Sequence, residues 1–220
     1  MSIGPKQSLL AEFATVARAL GHPHRLDILE HLAQGERGVD PLSARIGLSI
    51  ANTSQHLQQL KRAGLVASRR NGKSVLYRLA DETVLGLLSC LRQVAERNIA
   101  AVDRIVRSYF ADRDSMEPVS RQELLERSRA GLVTILDVRP ADEFAQGHLP
   151  GALNIPLNEL DARLADLDPA QEIVAYCRGA YCVLSFETVA ALRARGFTIR
   201  RLEDGYPEWK AAGLPVAIGS

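Results

Sequence analysis

At 220 residues the chain exceeds the commonest domain size of about 100 to 150 residues, so two compact domains are expected. With 46% hydrophobic and 24% charged residues the composition excludes a disordered chain, and no run approaches the roughly 18 apolar residues that a membrane helix needs. The net charge of +1 conceals an asymmetry: residues 1 to 110 hold 15 Lys and Arg against 9 Asp and Glu, and residues 111 to 220 hold 12 against 17, a pattern that fits a nucleic-acid module joined to something else and equally fits ordinary charge scatter.

The opening stretch lacks the basic-then-apolar layout of a secretory signal, so a cytoplasmic location is expected. Cys90, Cys177 and Cys182 are too few and too odd in number for a disulfide scaffold. Structural bridges are therefore not expected, and thiols that do chemistry are.

Leu9, Leu10, Phe13, Val16, Ala17 and Leu20 recur at helical spacing until Gly21. Pro23 opens a second helix with Leu26, Ile28, Leu29 and Leu32 on its buried face. Asp40 and Pro41 open a third that ends near Gly47, and Ser49 caps a fourth over 50–63 with Leu57 and Leu60 inward. Beyond Gly64 the pattern turns to strand: 65–67 and 75–79, joined at Asn71-Gly72, read as a hairpin, the wing.

From Asp81 to about Phe110 a long helix carries Val84, Leu88, Leu91, Ala95, Asn98, Val102 and Ile105 in a coiled-coil-like stripe. Such a stripe needs a partner helix, so a homodimer is expected, with Asn98 fixing the register. Residues 111 to 118 read as a polar linker. After it, Ser120 and Glu123 form a capping box for a helix to about Arg129, and strand-like runs at 133–138, 152–155, 173–176 and 198–202 alternate with helices. The fold class is therefore α+β followed by α/β: a mostly helical 1–110 with a β-hairpin wing, and an α/β 119–220 with a largely parallel sheet.

The outer face of the fourth helix offers Ser49, Asn52, Thr53, Gln55, His56, Gln59 and Arg62, side chains suited to phosphates and base edges. Arg69, Arg70, Lys73 and Arg78 put cations on the wing for the backbone of double-stranded DNA. The segments ALGHPHRLDILEHL and GLSIANTSQHLQQLKRAGLVASRRNGKSVLYRL, with the long helix after them, resemble the ArsR family of winged-helix regulators. For that family, the resemblance implies a dimer on an operator palindrome that leaves when an inducer binds.

The chain departs from the metal-sensing members of that family: Val39, Asp40, Leu42 and Ser43 stand where cysteines sit in the third helix, and the long helix has no histidine. No metal and no cofactor are expected. His22 and His24 are read as capping or solvated, His56 as a surface or phosphate contact, and Cys90 as a buried, inert thiol.

In IVAYCRGAYCVLSFETVAALRARGF a buried strand delivers Cys177 to a short loop that leads directly into a helix. The helix N-terminus and the backbone N–H groups of Arg178, Gly179, Ala180, Tyr181 and Val183 favour a Cys177 thiolate and an anion beside it, and Arg178 adds positive charge. Together with LDVRPADEFAQGHLPGALNIP and DGYPEWKAAGLPV, the loop resembles the rhodanese family over about residues 119 to 217. The resemblance implies that Cys177 takes sulfane sulfur from a donor such as thiosulfate, a persulfide or a polysulfide, and passes it on.

Asp137, Arg139, Glu143 and His148 are read as ion pairs and hydrogen bonds that hold the strand end and loop, and Trp209 as packing. Related phosphatases need arginine where Val183 stands, which argues against phosphatase activity. Cys182 is close enough in a curled loop for a disulfide to Cys177, as a resolving thiol. The functional expectation is a repressor whose rhodanese half senses sulfur on Cys177; the alternatives are a sulfurtransferase with an accessory DNA-binding half and a protein-interaction scaffold.

Overall fold

The computed structural model describes residues 4–102, 104–105 and 118–219, which divide into two compact units, Met1–Gly86 and Leu87–Ser220. In the first unit α1 (Pro5–Leu20), α2 (Pro23–Ala33), α3 (Val39–Ile46) and α4 (Ile50–Arg62) precede the hairpin β2 (Val66–Asn71) and β3 (Ser74–Leu79). The helix ends follow local chemistry. His22 Nδ1 accepts from the N–H of His24 at the start of α2, Ser49 caps α4, and Gly47 leaves α3 in the left-handed conformation (φ 72°) that a side chain resists. Ile28, Leu29, Leu42, Leu57 and Leu60 are fully buried and form the centre of this unit.

Asn71 pairs with Ser74, so Gly72-Lys73 make the turn, with Gly72 at φ 60°. The wing gains a third strand, β1 (Arg37–Gly38), paired with Tyr77 and Leu76. Two residues are too few to carry a strand period, so only tertiary pairing creates β1.

The predicted long helix is realised as α5 (Thr83–Asn98), broken at Ile99, with 100–102 and 104–105 helical again. Residues 103 and 106–110 of that prediction, and 111–117 of the linker, lie outside the described residues. Val84 and Leu88 are buried, whereas Leu87, Leu91 and Val94 are exposed by 38%, 39% and 60%. The Asn98 side chain donates to the carbonyl of Val94 within its own helix. Cys90 corrects the expectation of a buried thiol: its position on α5 points away from the Val84–Leu88 face, and it is exposed.

The second unit takes in α5 from Leu87 and builds a four-stranded parallel sheet, in the order β5 (Leu153–Asn154), β4 (Val133–Asp137), β6 (Glu172–Tyr176), β7 (Ile199–Arg201). Around it are α6 (Arg121–Arg129), α7 (Ala141–Gln146), a 3-10 helix (Leu157–Asp166), α8 (Val183–Arg193) and α9 (Tyr206–Ala211). Ser120 Oγ accepts from the N–H of Glu123 as expected of a capping box, while the Glu123 carboxylate is taken by Arg127 and Arg200.

Strand side chains alternate between faces, and this parity sorts the core into two clusters. Ile173, Ala175 and Cys177 join Phe186, Val189 and Leu192 of α8 on one face. Val174 and Tyr176 join Leu124, Tyr206 and Trp209 on the other. Cys177 therefore lands on the face that α8 covers.

Candidate functional site

Cys177 follows the central strand β6 at its carboxyl end, the edge where parallel α/β sheets place their chemistry. Its side chain is almost wholly buried, and its sulfur is bonded to that of Cys182, the half-buried N-cap residue of α8, with the Cα atoms 6.1 Å apart. This disulfide corrects the expectation of no structural bridge, and it lies in the loop where the spacing made one plausible. The loop is curled by the Cys182 N–H donating to the Gly179 carbonyl, and the Cys182 carbonyl accepts from Ser185 N and Oγ.

Of the predicted cradle, Gly179 is buried and Ala180, Tyr181 and Val183 are half-buried. The Arg178 guanidinium is not free: it grips the fully buried Glu143 carboxylate, Nη2 to Oε1 at 2.7 Å, so its charge is spent inside the fold. Buried charge requires such pairing, which the sequence spacing did not reveal. Burial, followed by a hydrogen bond to Glu96, pushes the Tyr181 phenol up to about 12.

Gly205 lies against this loop. A Cβ there would sit 2.3 Å from Gly179 N and 2.4 Å from the Arg178 carbonyl carbon, both backbone atoms. Gly205→Ala is expected to cost about 1–3 kcal/mol or more by overpacking, read by chemical denaturation. A stability unchanged from wild type excludes this close approach.

Behind the loop, Asp137 and Arg139 are both wholly buried, paired at 2.6 Å, and Arg139 Nη2 also donates to the Gly147 carbonyl. Burial works against the Arg139 charge, but the Asp137 carboxylate outweighs it and raises its pKa. The Tyr176 hydroxyl donates to Asp137 and accepts from Leu149 N–H; burial above all drives the phenol far above its ordinary pKa. His148 Nδ1 meets the Phe144 carbonyl and its ring stacks on Phe144 at 3.6 Å. Trp209 is buried and donates to the Pro215 carbonyl.

In the first unit Ser49, Asn52, Gln55, Gln59 and Arg62 are exposed along α4, and Arg69, Arg70, Lys73 and Arg78 along the wing. Two arrangements were not legible. Glu36 holds Arg69 at 2.6 Å and approaches Arg78 at 3.8 Å, and Arg25 donates to Gln59 Oε1 at 2.6 Å. Glu36 and Arg25 are separated by long sequence intervals from their partners and gave no local signal.

Thr53 is a correction to the DNA face. It shares the inward stripe of Leu57 and Leu60, is fully buried, and its hydroxyl has no hydrogen-bond partner among the described residues. Thr53→Val, which keeps the shape and removes a buried unpaired polar group, is expected to leave operator affinity unchanged and to be neutral or stabilising in a thermal melt. A fall in affinity alone places Thr53 back on the DNA.

His22, His24 and His56 form a cluster with ring centroids 4.6 to 6.0 Å apart. Burial first, then the charges of His22, Arg25 and His24, lower the His56 pKa. Among the described residues no group of three or more His, Cys, Asp or Glu is arranged to hold a metal ion, and no helix is long and apolar enough to cross a membrane.

Comparison with known proteins accounts for both units. The helix-turn-helix domain family matches residues 20–69 and the rhodanese-like domain family residues 120–212. A curated relative, the HTH-type transcriptional regulator Rv0324 of Mycobacterium tuberculosis, is 44% identical over 98% of this chain and 94% of its own length. Among solved structures, the homodimeric winged helix-turn-helix DNA-binding domain Mb0332 of Mycobacterium bovis, a possible ArsR-family regulator, is 38% identical, covering 45% of this chain and 92% of that one at a TM-score of 0.42. A rhodanese-related protein of Thermoplasma volcanium is 28% identical, covering 46% and 96%, at a TM-score of 0.41.

Proposed function

This chain belongs to the HTH-type transcriptional regulators, here with a rhodanese-like second half, and from that premise we propose that it is an ArsR-type repressor of the cytoplasm whose operator affinity responds to sulfane sulfur at Cys177. The observation that carries the reading is the Cys177–Cys182 bond, at the end of the central strand of the rhodanese-like unit. A sulfurtransferase needs one thiol that takes and gives sulfur. Two thiols that close on each other make a two-state element, which is what a sensor requires.

The chemistry is balanced by the donor alone. The Cys177 thiolate attacks the outer sulfur of a persulfide, forming a Cys177 persulfide and releasing the donor thiolate. The Cys182 thiolate then attacks Cys177 Sγ and expels hydrosulfide. Two thiols are oxidised to a disulfide and one sulfane sulfur is reduced to hydrosulfide.

The exposed α4 face and wing supply the contacts to an operator. Exposed Leu9, Leu10 and Phe13 of α1, and Leu87, Leu91 and Val94 of α5, support a homodimer, since apolar side chains at helical spacing favour burial against a second copy.

The test treats reduced full-length protein with glutathione persulfide at fixed salt. Mass spectrometry is expected to detect a Cys177–Cys182 linkage, and fluorescence anisotropy on a family-like palindrome a change in Kd of about 5- to 150-fold, the usual range of allosteric coupling. Rapid turnover of thiosulfate with no change in Kd favours the sulfurtransferase reading instead.

A further inference from the structure

The second unit contains a contact that the sensing chemistry does not use. Arg92 of α5 pairs with Glu208 of α9 at 3.1 Å, and both side chains are largely covered. Glu208 in turn accepts from the N–H of Gly205, the glycine pressed on Arg178 and Gly179. A Cβ placed on Gly179, two residues after Cys177, would sit 3.4 Å from the Arg92 guanidinium and 3.6 Å from the Glu208 carboxylate. One helical turn further along α5, Glu96 is hydrogen-bonded to the phenol of Tyr181, the residue that immediately precedes Cys182.

Arg92 and Glu96 are four residues apart and so share one face of α5. At about 100° per residue, the exposed apolar stripe of Leu87, Leu91 and Val94 lies on roughly the opposite side of the same helix. A single rigid element therefore touches the thiol loop with one face and carries an exposed apolar stripe on the other.

From this arrangement we infer that Arg92 and Glu96 of α5 are positioning residues that read the covalent state of the Cys177 loop and convert it into a displacement of α5. The inference rests on the sulfur-sensing function proposed above and names its route. With Cys177 and Cys182 bonded, the loop is closed and Tyr181 is held where Glu96 receives its hydroxyl. With a persulfide on Cys177, or with both thiols free, Cys182 and the adjacent Tyr181 are released, and the pairing across Gly179 loses its support. Arg92 also places a cation beside the loop where Arg178 is committed to Glu143, so an anionic adduct on Cys177 competes with Glu208 for it.

The experiment compares full-length wild type, Arg92→Ala and Glu96→Ala, each reduced and then treated with glutathione persulfide, by mass spectrometry of the Cys177–Cys182 linkage and by anisotropy on the same duplex. The expected result is that all three form the linkage and bind the operator alike when reduced, while the fold-change in Kd on treatment collapses in the two variants. Variants that respond as fully as wild type overturn the inference and leave the sensing function standing. A wild type that forms the linkage without any change in Kd overturns the sensing function itself. Should a variant fail to bind the operator or to form the linkage, hydrogen exchange on wild type decides. Exchange of the peptide spanning Leu87–Asn98 that changes on treatment, and does not in Cys177→Ser, supports the readout; identical exchange overturns it.

Discussion

In Cys177→Ser, persulfide treatment is expected to leave operator affinity where it was, against the change of about 5- to 150-fold expected of wild type. The serine hydroxyl is not ionised at neutral pH and is no nucleophile toward sulfane sulfur, so neither the persulfide nor the bond to Cys182 forms. Cys182→Ser separates the steps. It should accumulate a Cys177 persulfide, one sulfur heavier by mass spectrometry, and release no hydrosulfide. If this variant responds as wild type does, the persulfide is the signal; if it is silent, the disulfide is. A full response in Cys177→Ser moves sensing to one of the two thiols that variant keeps, Cys182 or the exposed Cys90.

Asp137→Asn is expected to destabilise the second unit by about 3–5 kcal/mol, because it leaves the Arg139 guanidinium buried without its counter-charge. Asp137 receives the Arg139 backbone N–H and guanidinium together with the Tyr176 hydroxyl, and both partners of the pair are fully buried. Urea denaturation followed in the second unit reads the loss. The combined replacement of Asp137 by Leu and Arg139 by Met should cost less than the sum of the two single changes, since it removes both charges from the interior. Additive losses would mean that the pair is not the source of the stability. The same change should weaken sulfur loading at Cys177, because Asp137 and Tyr176 face each other at the ends of neighbouring strands β4 and β6.

The two predictions differ in how visible their residues were. Cys177 and Cys182 could be singled out because a strand, a short loop and a helix start follow one another in the chain, and the thiols sit at fixed places in that local pattern. The pairing of Asp137 with Arg139 is also local, two residues apart at a strand end. Arg178 was expected to add positive charge to the loop, and its pairing with Glu143 was not legible because the two are 35 residues apart. Nothing in the local spacing couples them.

Local sequence was enough for the helix ends at Gly21, Gly47 and Gly64, the Ser49 and Ser120 caps, the wing hairpin, and the parallel strands with a thiol after the third. Each rests on a periodicity or on a residue whose backbone preference acts within a few positions. Tertiary structure decided the rest: that Thr53 joins the core while Cys90 is exposed, that Arg37 and Gly38 become a strand, that Glu36 takes hold of the wing, and that Arg92 meets Glu208 across 116 residues of chain. Those outcomes depend on which surfaces remain to be covered once helices and sheet have packed, and on where a buried charge finds its opposite. Both are properties of the assembled fold, to which the order of neighbours along the chain gives no access.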